Sequence, residues 1–265
     1  MINVALIGGS GIYLPDMLEN VFEDIVKTPY GDIKYSCGEI NGRKIVFIPR
    51  HGKGHSVPPH KVNYHANIWG LKKLGVKYIV ASTAVGSLNP DMQVGEFVIP
   101  DQLLDFTKSR STTFFDGKDN KVVHVDLTNP YCQEVSSILA ASAADTGIKV
   151  RKGGTYVCTE GPRFETAGEI KMYRILGGDI VGMTAVPELV LAREAEMCYA
   201  TFSLVTNMGA GISEHPLSHQ EVYDCVAQTN DKIMLFLKNA LGVLAENDSD
   251  CTCLHAIKDF GGFKV

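Results

Sequence analysis

Asn3-Val4-Ala5-Leu6-Ile7-Gly8-Gly9-Ser10-Gly11 opens the chain with a short apolar run that enters a glycine turn. That pattern reads as a first strand handing over to a tight loop. Further short apolar or β-rich runs follow at 44–49, 78–82, 96–99, 155–158, 179–182 and 201–206. Helical patterns fall between them at 62–74, 130–146, 166–175, 187–197 and 218–245. Asn129-Pro130 offers an N-cap with proline at the first helical position. Thr166-x-x-Glu169 and Ser218-x-x-Glu221 match the capping box. Such alternation predicts a layered α/β fold, with helices around a central sheet. There is no internal repeat, low-complexity tract or linker, so residues 1–265 are expected to form a single domain. The stretch 105–126 is the least regular part and reads as a long insertion loop, the kind that is often functional or at a subunit contact.

The chain has 265 residues, 45% of them hydrophobic and 21% charged, as in ordinary globular proteins. A net charge of -5 gives no electrostatic reason to expect a nucleic-acid partner. No run approaches the roughly 20 apolar residues of a membrane span. Met1 is followed at once by Ile2 and the first strand, with no basic leader. The seven cysteines are mostly scattered singly. Together these features predict a cytoplasmic chain in a reducing compartment, with no membrane partner.

Several segments at strand ends carry small, hydroxylated or polar residues, where ligand sites of α/β sheets tend to lie. Gly8-Gly9-Ser10-Gly11 suits close approach of an anion to backbone N–H groups. It fits the dinucleotide fingerprint poorly, because Leu14 stands at the third glycine position counted from Gly9. Arg50 suits an oxyanion, and His51, His55 and His60 lie close by. Thr83, Ala84 and Thr184 add hydroxyl and backbone donors. Taken singly, each segment also has an ordinary reading: a tight turn, a surface arginine, a packed histidine, a strand-end threonine. Glu165 precedes the N-cap Thr166, where a helix dipole alone would favour a carboxylate. Asn207 precedes glycine-containing sequence that reads as a turn, and His219 opens the last helix. No spacing of His, Cys, Asp or Glu suggests a metal site.

In order and spacing these segments resemble the trimeric nucleoside phosphorylases, which include methylthioadenosine phosphorylases and low-molecular-mass purine nucleoside phosphorylases. The matching pieces are Gly8-Gly9-Ser10-Gly11, Pro49-Arg50-His51-Gly52, Lys61-Val62-Asn63-Tyr64-x-Ala66-Asn67-Ile68, Gly161-Pro162-Arg163-Phe164-Glu165-Thr166 and Met183-Thr184-x-Val186-Pro187-Glu188. They span nearly the whole chain, and the overall pattern resembles the methylthioadenosine branch most. The resemblance implies a twisted, mixed and partly barrel-like sheet flanked by helices. It implies phosphorolysis of purine nucleosides with inorganic phosphate as co-substrate and no metal or organic cofactor. It further implies a homotrimer, or a dimer of trimers, serving purine salvage.

The same resemblance places Ser10, Arg50, His51, Thr83, Ala84 and Thr184 around phosphate. It places Phe164, Glu165, Met183, Asn207, Met208, Gly209 and His219 around the nucleoside. Asn207, Glu165 and His51 become the expected catalytic residues. Three positions favour 6-oxopurines. Methylthioadenosine phosphorylases carry aspartate after the threonine that matches Thr206, whereas here Asn207 follows, as in 6-oxopurine enzymes. Glu165 stands where the methylthioadenosine enzymes have serine, and a carboxylate accepts from purine N1–H. His219 matches a histidine that binds the ribose 5′-hydroxyl. The expected substrates are therefore inosine and guanosine. A 5′-methylthioinosine or methylthioadenosine phosphorylase is the near rival. A water-using nucleosidase and a non-catalytic nucleotide-binding protein are rivals of other classes. His124, in the irregular stretch, resembles a histidine that reaches a neighbouring subunit's site. Cys251-Thr252-Cys253 resembles a C-terminal pair of some thermophile relatives, either a disulfide or two free thiols.

Overall fold

Val4–Gly8 (β1) is buried along its whole length and pairs in parallel with two strands, Arg43–Pro49 (β4) and Tyr78–Ser87 (β5). The computed structural model describes residues 2–12, 17–117, 121–213 and 215–265. Leu14 therefore lies outside the described residues. An antiparallel meander of Glu19–Val26 (β2), Ile33–Ile40 (β3) and β4 flanks β1 on one side. The other side continues from β5 to Ile180–Gly182 (β10), Thr155–Thr159 (β9) and Gln102–Phe106 (β7). A branch leaves β5 through the long strand Cys198–Met208 (β11) to Phe97–Ile99 (β6) and Val150–Lys152 (β8). The sheet is mixed: β11 runs parallel to β5, while β10 runs antiparallel to it.

Alternate residues of the central strands feed two cores, as the period of a strand requires. Val4, Leu6, Tyr78, Val80, Ala200 and Phe202 pack toward Gln133–Asp145 (α2) and His219–Glu246 (α5). Ala5, Ile7, Ile79, Ala81 and Tyr199 pack toward Tyr64–Lys73 (α1) and Ala185–Glu194 (α4). Helices thus cover both faces of one sheet. Ala167–Ile175 (α3) packs with a smaller cluster around Val157 and Val181.

The seven strands and five helices expected from the sequence all form. Thr166 and Glu169 make both halves of the capping box, while Ser218 makes only the half from Glu221 N–H. Asn129 does not cap α2. Arg193 holds the Asn129 and Pro130 carbonyls, and the helix starts later, with Cys132 at its N-cap. The irregular stretch begins as β7, and its described residues beyond Phe106 are in no helix or strand. Strands β2, β3, β7 and β8 went unread in the sequence. The β3–β4 hairpin had a signal, Asn41-Gly42, with both residues at positive φ (52° and 73°) as a two-residue hairpin turn requires. β2 had none, because seven of its eight residues are exposed and no alternation marks it.

Candidate active site

Strand β5 makes the site possible. Its Tyr78–Ala81 portion pairs with β1, and Gly86 and Ser87 pair with β10. Between these it has β11 on one edge and neither β1 nor β10 on the other. The gap is a switch point of strand order, where α/β sheets open a crevice. A cavity of about 430 Å³ lies there. Its walls come from the residues after β1, β4 and β9, from the middle of β5, and from the ends of β10 and β11.

Ser10, Arg50, His51, Thr83, Ala84 and Thr184 all line this cavity. Gly9 sits so close to β5 that a Cβ would collide with the Ser82 carbonyl and lie 3.1 Å from Arg50 Nη1. The glycine turn is thus needed for approach to the strand as well as for its shape. Gly9 N–H donates to Ser82 Oγ at 2.8 Å, locking the turn onto the crevice. Thr83 Oγ1 pairs with Ser203 Oγ at 2.8 Å, which orients the threonine.

Arg50 is not a surface residue. Its side chain and that of Glu188 have no exposed surface. Nε and Nη2 donate to the two Glu188 oxygens at 2.7 and 2.6 Å, and Nη1 donates to the Ser82 carbonyl at 2.8 Å. Tyr199 Oη donates to the same carboxylate at 2.8 Å, and Thr201 donates to Tyr199. Five guanidinium N–H groups less these three leave two uncommitted on a residue that lines the cavity. The neighbouring Glu188 carboxylate raises the Arg50 pKa despite burial, so the guanidinium keeps its charge. Glu188 stood in the quoted sequence without a role, and its fork-to-fork geometry with Arg50 is the finding that supplies one.

His51 Nδ1–H donates to the Val57 carbonyl at 2.9 Å, which leaves Nε2 as an acceptor. Burial, with Arg50 beside it, pushes its pKa down to about 4, so the ring is neutral. It stacks on His55 at 4.3 Å between centroids, and His55 lies 5.2 Å from His219. His55 and His219 both line the cavity. His55 occupies a left-handed turn (φ 57°), a conformation that sequence reading had no means to see.

Phe164, Glu165, Met183, Asn207 and Gly209 line the same cavity. Thr159 donates to Glu165 Oε1 at 2.6 Å. Burial raises the Glu165 pKa, and the Thr159 hydrogen bond opposes the rise. A bulge in the β5–β11 ladder between Val205 and Asn207 redirects the end of β11. Asn207 Oδ1 accepts from Thr206 Oγ1 at 3.1 Å, and Nδ2 donates to the Met208 carbonyl at 3.0 Å. The amide is thereby oriented, with its second Nδ2 hydrogen left over. Gly86 makes room for it, since a Cβ there would lie 3.1 Å from Asn207 Nδ2.

Met208 is not among the residues lining this cavity, but its carbonyl accepts from Asn207 Nδ2 and so helps orient that amide. His124 is exposed and is not part of this cavity either. Arg110 comes from the irregular stretch 105–126. Its Nη1 donates to the Met183 and Val186 carbonyls at 2.8 and 2.6 Å, and its Nη2 to the Glu160 carbonyl at 2.6 Å. One side chain thus ties together the segments that carry Glu165, Met183 and Thr184.

Residues 3–242 match the model of the phosphorylase superfamily. The chain belongs to that family. It is 50% identical to a 6-oxopurine nucleoside phosphorylase of Pyrococcus furiosus, over 99% of this chain and all of that one. It is 51% identical to a probable 6-oxopurine nucleoside phosphorylase of Thermococcus kodakarensis over the same shares. Among solved structures it resembles a methylthioadenosine phosphorylase from an antarctic soil metagenomic library, with a TM-score of 0.90 and 39% identity, covering 97% of this chain and 91% of that one. The enzyme class, a pentosyl-transferring nucleoside phosphorylase, follows from this membership. No described helix is long and apolar enough to cross a membrane.

Proposed function

We propose that the chain phosphorolyses 6-oxopurine nucleosides, inosine and guanosine, to free base and ribose 1-phosphate. The observation that carries this reading is the meeting of an anion pocket and a Glu165/Asn207 pair in one cavity. The relatives about half identical over their full lengths agree with it.

Arg50, Ser10, Thr83, Thr184 and the Ala84 backbone bind phosphate in this reading. The neutral His51 accepts the remaining phosphate O–H at Nε2. Phosphate attacks the anomeric carbon from this pocket as the glycosidic bond breaks, so proximity is supplied by binding. Its negative charge steadies a sugar that turns cationic, as in glycoside cleavage. The departing base gains electron density at N7, and the spare Asn207 N–H meets charge that exists only in the transition state. Glu165 accepts from N1–H and from the 2-amino group of guanine. Adenine lacks N1–H, so two acceptors would oppose each other, at a cost of roughly 1–3 kcal/mol. Phe164 stacks near the base, Met183 lies against the ribose, Gly209 lets the base approach the backbone, and His219 takes the 5′-hydroxyl.

Phosphate is a co-substrate here, and the reaction uses no metal or organic cofactor. The assembly is a homotrimer, with a dimer of trimers as a further level, working in the cytoplasm in purine salvage. Apolar Phe22 and Ile25 on the exposed edge strand β2 suit a subunit contact. So does an open hollow of about 730 Å³ that shares Arg50, His51 and His55 with the site. In such an assembly His124 reaches a neighbouring subunit's cavity.

Base release from inosine, guanosine and methylthioadenosine, each with and without phosphate, tests the reading. Fast release from the first two, only with phosphate, is expected. Release without phosphate would make the chain a nucleosidase, and preference for methylthioadenosine would overturn the base and 5′ assignments.

A pH profile separates Glu165 from phosphate. Its pKa is raised by burial, and the ionised form is the one that accepts from N1–H. Activity on inosine should therefore fall as pH drops through a value above the ordinary carboxylate range. Glu165→Gln, assayed with the same phosphate, should be slow and lack that limb. An unchanged acid limb in the variant would remove Glu165 from the base site.

A further inference from the structure

Four of the seven cysteines converge at one place. Cys132 is the N-cap of α2, Cys198 is the first residue of β11, and Cys251 and Cys253 lie in the C-terminal turn. Their Sγ atoms all lie within 4.8 Å of one another, with Cys132 and Cys251 at 3.7 Å. Tetrahedral zinc with Zn–S bonds of about 2.3 Å sets sulfur atoms about 3.8 Å apart. A disulfide instead needs about 2.05 Å, and no cysteine is in one. Linear spacing hides the group, since Cys132 and Cys251 are 119 positions apart. For that reason no metal site was expected from the sequence.

We propose that Cys132, Cys198, Cys251 and Cys253 form a structural site for a thiophilic divalent cation, zinc above all. Four thiolates close a tetrahedral shell and leave no open position, which is the pattern of a structural rather than a catalytic centre. Binding releases up to four protons to solvent as the thiols become thiolates, and no electron is transferred. The bound tetrathiolate carries a net charge of −2. The N-terminus of α2 points its partial positive charge at Cys132, and the Arg193 guanidinium acts on Cys253. Cys132, Cys198 and Cys253 belong to the apolar core, which would shield the ion from competing water. The site ties the C-terminal turn to α2 and β11. It lies at the far end of β11 from the substrate cavity: Asn207 is nine positions on from Cys198, and Ser203, which pairs with the cavity-lining Thr83, is five positions on, about 17 Å of strand.

The test begins with full-length protein, reduced and stripped of metal by a chelator, and titrated with zinc alone. About one zinc per chain should bind, with a rise in Tm and protection of four thiols from a thiol reagent. Cobalt in place of zinc should give the thiolate-to-metal charge-transfer absorption of a tetrahedral site. Cys251→Ser with Cys253→Ser should lose the metal and keep phosphorolysis, whereas Cys37→Ser should retain the metal. Failure of the reduced wild-type chain to take up zinc would overturn the proposal. So would formation of two disulfides within the cluster in the presence of zinc, or metal retained by the double variant. The wild-type titration decides the matter even if the double variant does not fold, and none of these readouts depends on the substrate assignment.

Discussion

Glu188→Gln should be the most damaging single change near the cavity that touches no proposed substrate atom. It removes the charge partner of a guanidinium that has no exposed surface. Breaking a buried pair in this way costs about 3–5 kcal/mol, because the cation left behind remains desolvated. For a chain of this size that lowers Tm by on the order of 10 °C. Phosphate should then raise the Tm of the variant more than that of the wild type, since the anion replaces part of the lost charge. Turnover should still fall, because Arg50 is no longer held by two parallel hydrogen bonds. Calorimetry with and without phosphate, together with KM for phosphate, checks this. Equal Tm and equal KM in the two proteins would mean that the pair neither stabilises the fold nor positions the anion site.

Asn207→Asp is expected to cost the most in catalysis. A single donor aimed at charge that develops in the transition state is worth about 10²–10³ in kcat. An ionised aspartate has no donor and places negative charge beside a base that is becoming electron-rich. A protonated one regains a donor and suits adenine, so activity on adenosine relative to inosine should rise. The loss should appear in kcat more than in KM, because the interaction matures only as the bond breaks. Steady-state kinetics on both nucleosides measures it. Unchanged selectivity would remove Asn207 from the base contact. The Thr206 and Met208 contacts of Asn207 are geometric, so a compensating Thr206 variant should couple to it and not act additively.

Much of this was legible in linear form because the relevant signals are local. The period of apolar residues marked β1, β4 and the five helices. The Thr166/Glu169 capping box could be read residue by residue. The polar residues of the cavity cluster just beyond strand ends, which is where an α/β sheet exposes them. Recognising their order as that of a known family joined segments that, singly, had ordinary readings.

What stayed hidden depends on contacts distant in the chain. Glu188 was visible as a letter, but only the fold brings it 138 positions back to Arg50. The irregularity in the β5–β11 pairing between Val205 and Asn207 is likewise invisible in the linear order of residues. The four clustered cysteines were scattered singles or a terminal pair in the sequence. The sequence by itself determined the α/β class, the starts of α3 and α5 and the types of chemistry present, because periodicity, capping and residue identity are local properties. The tertiary structure alone decided which charges are paired, which hydroxyls are oriented and which side chains meet, because desolvation and hydrogen bonding depend on neighbours that only folding brings together.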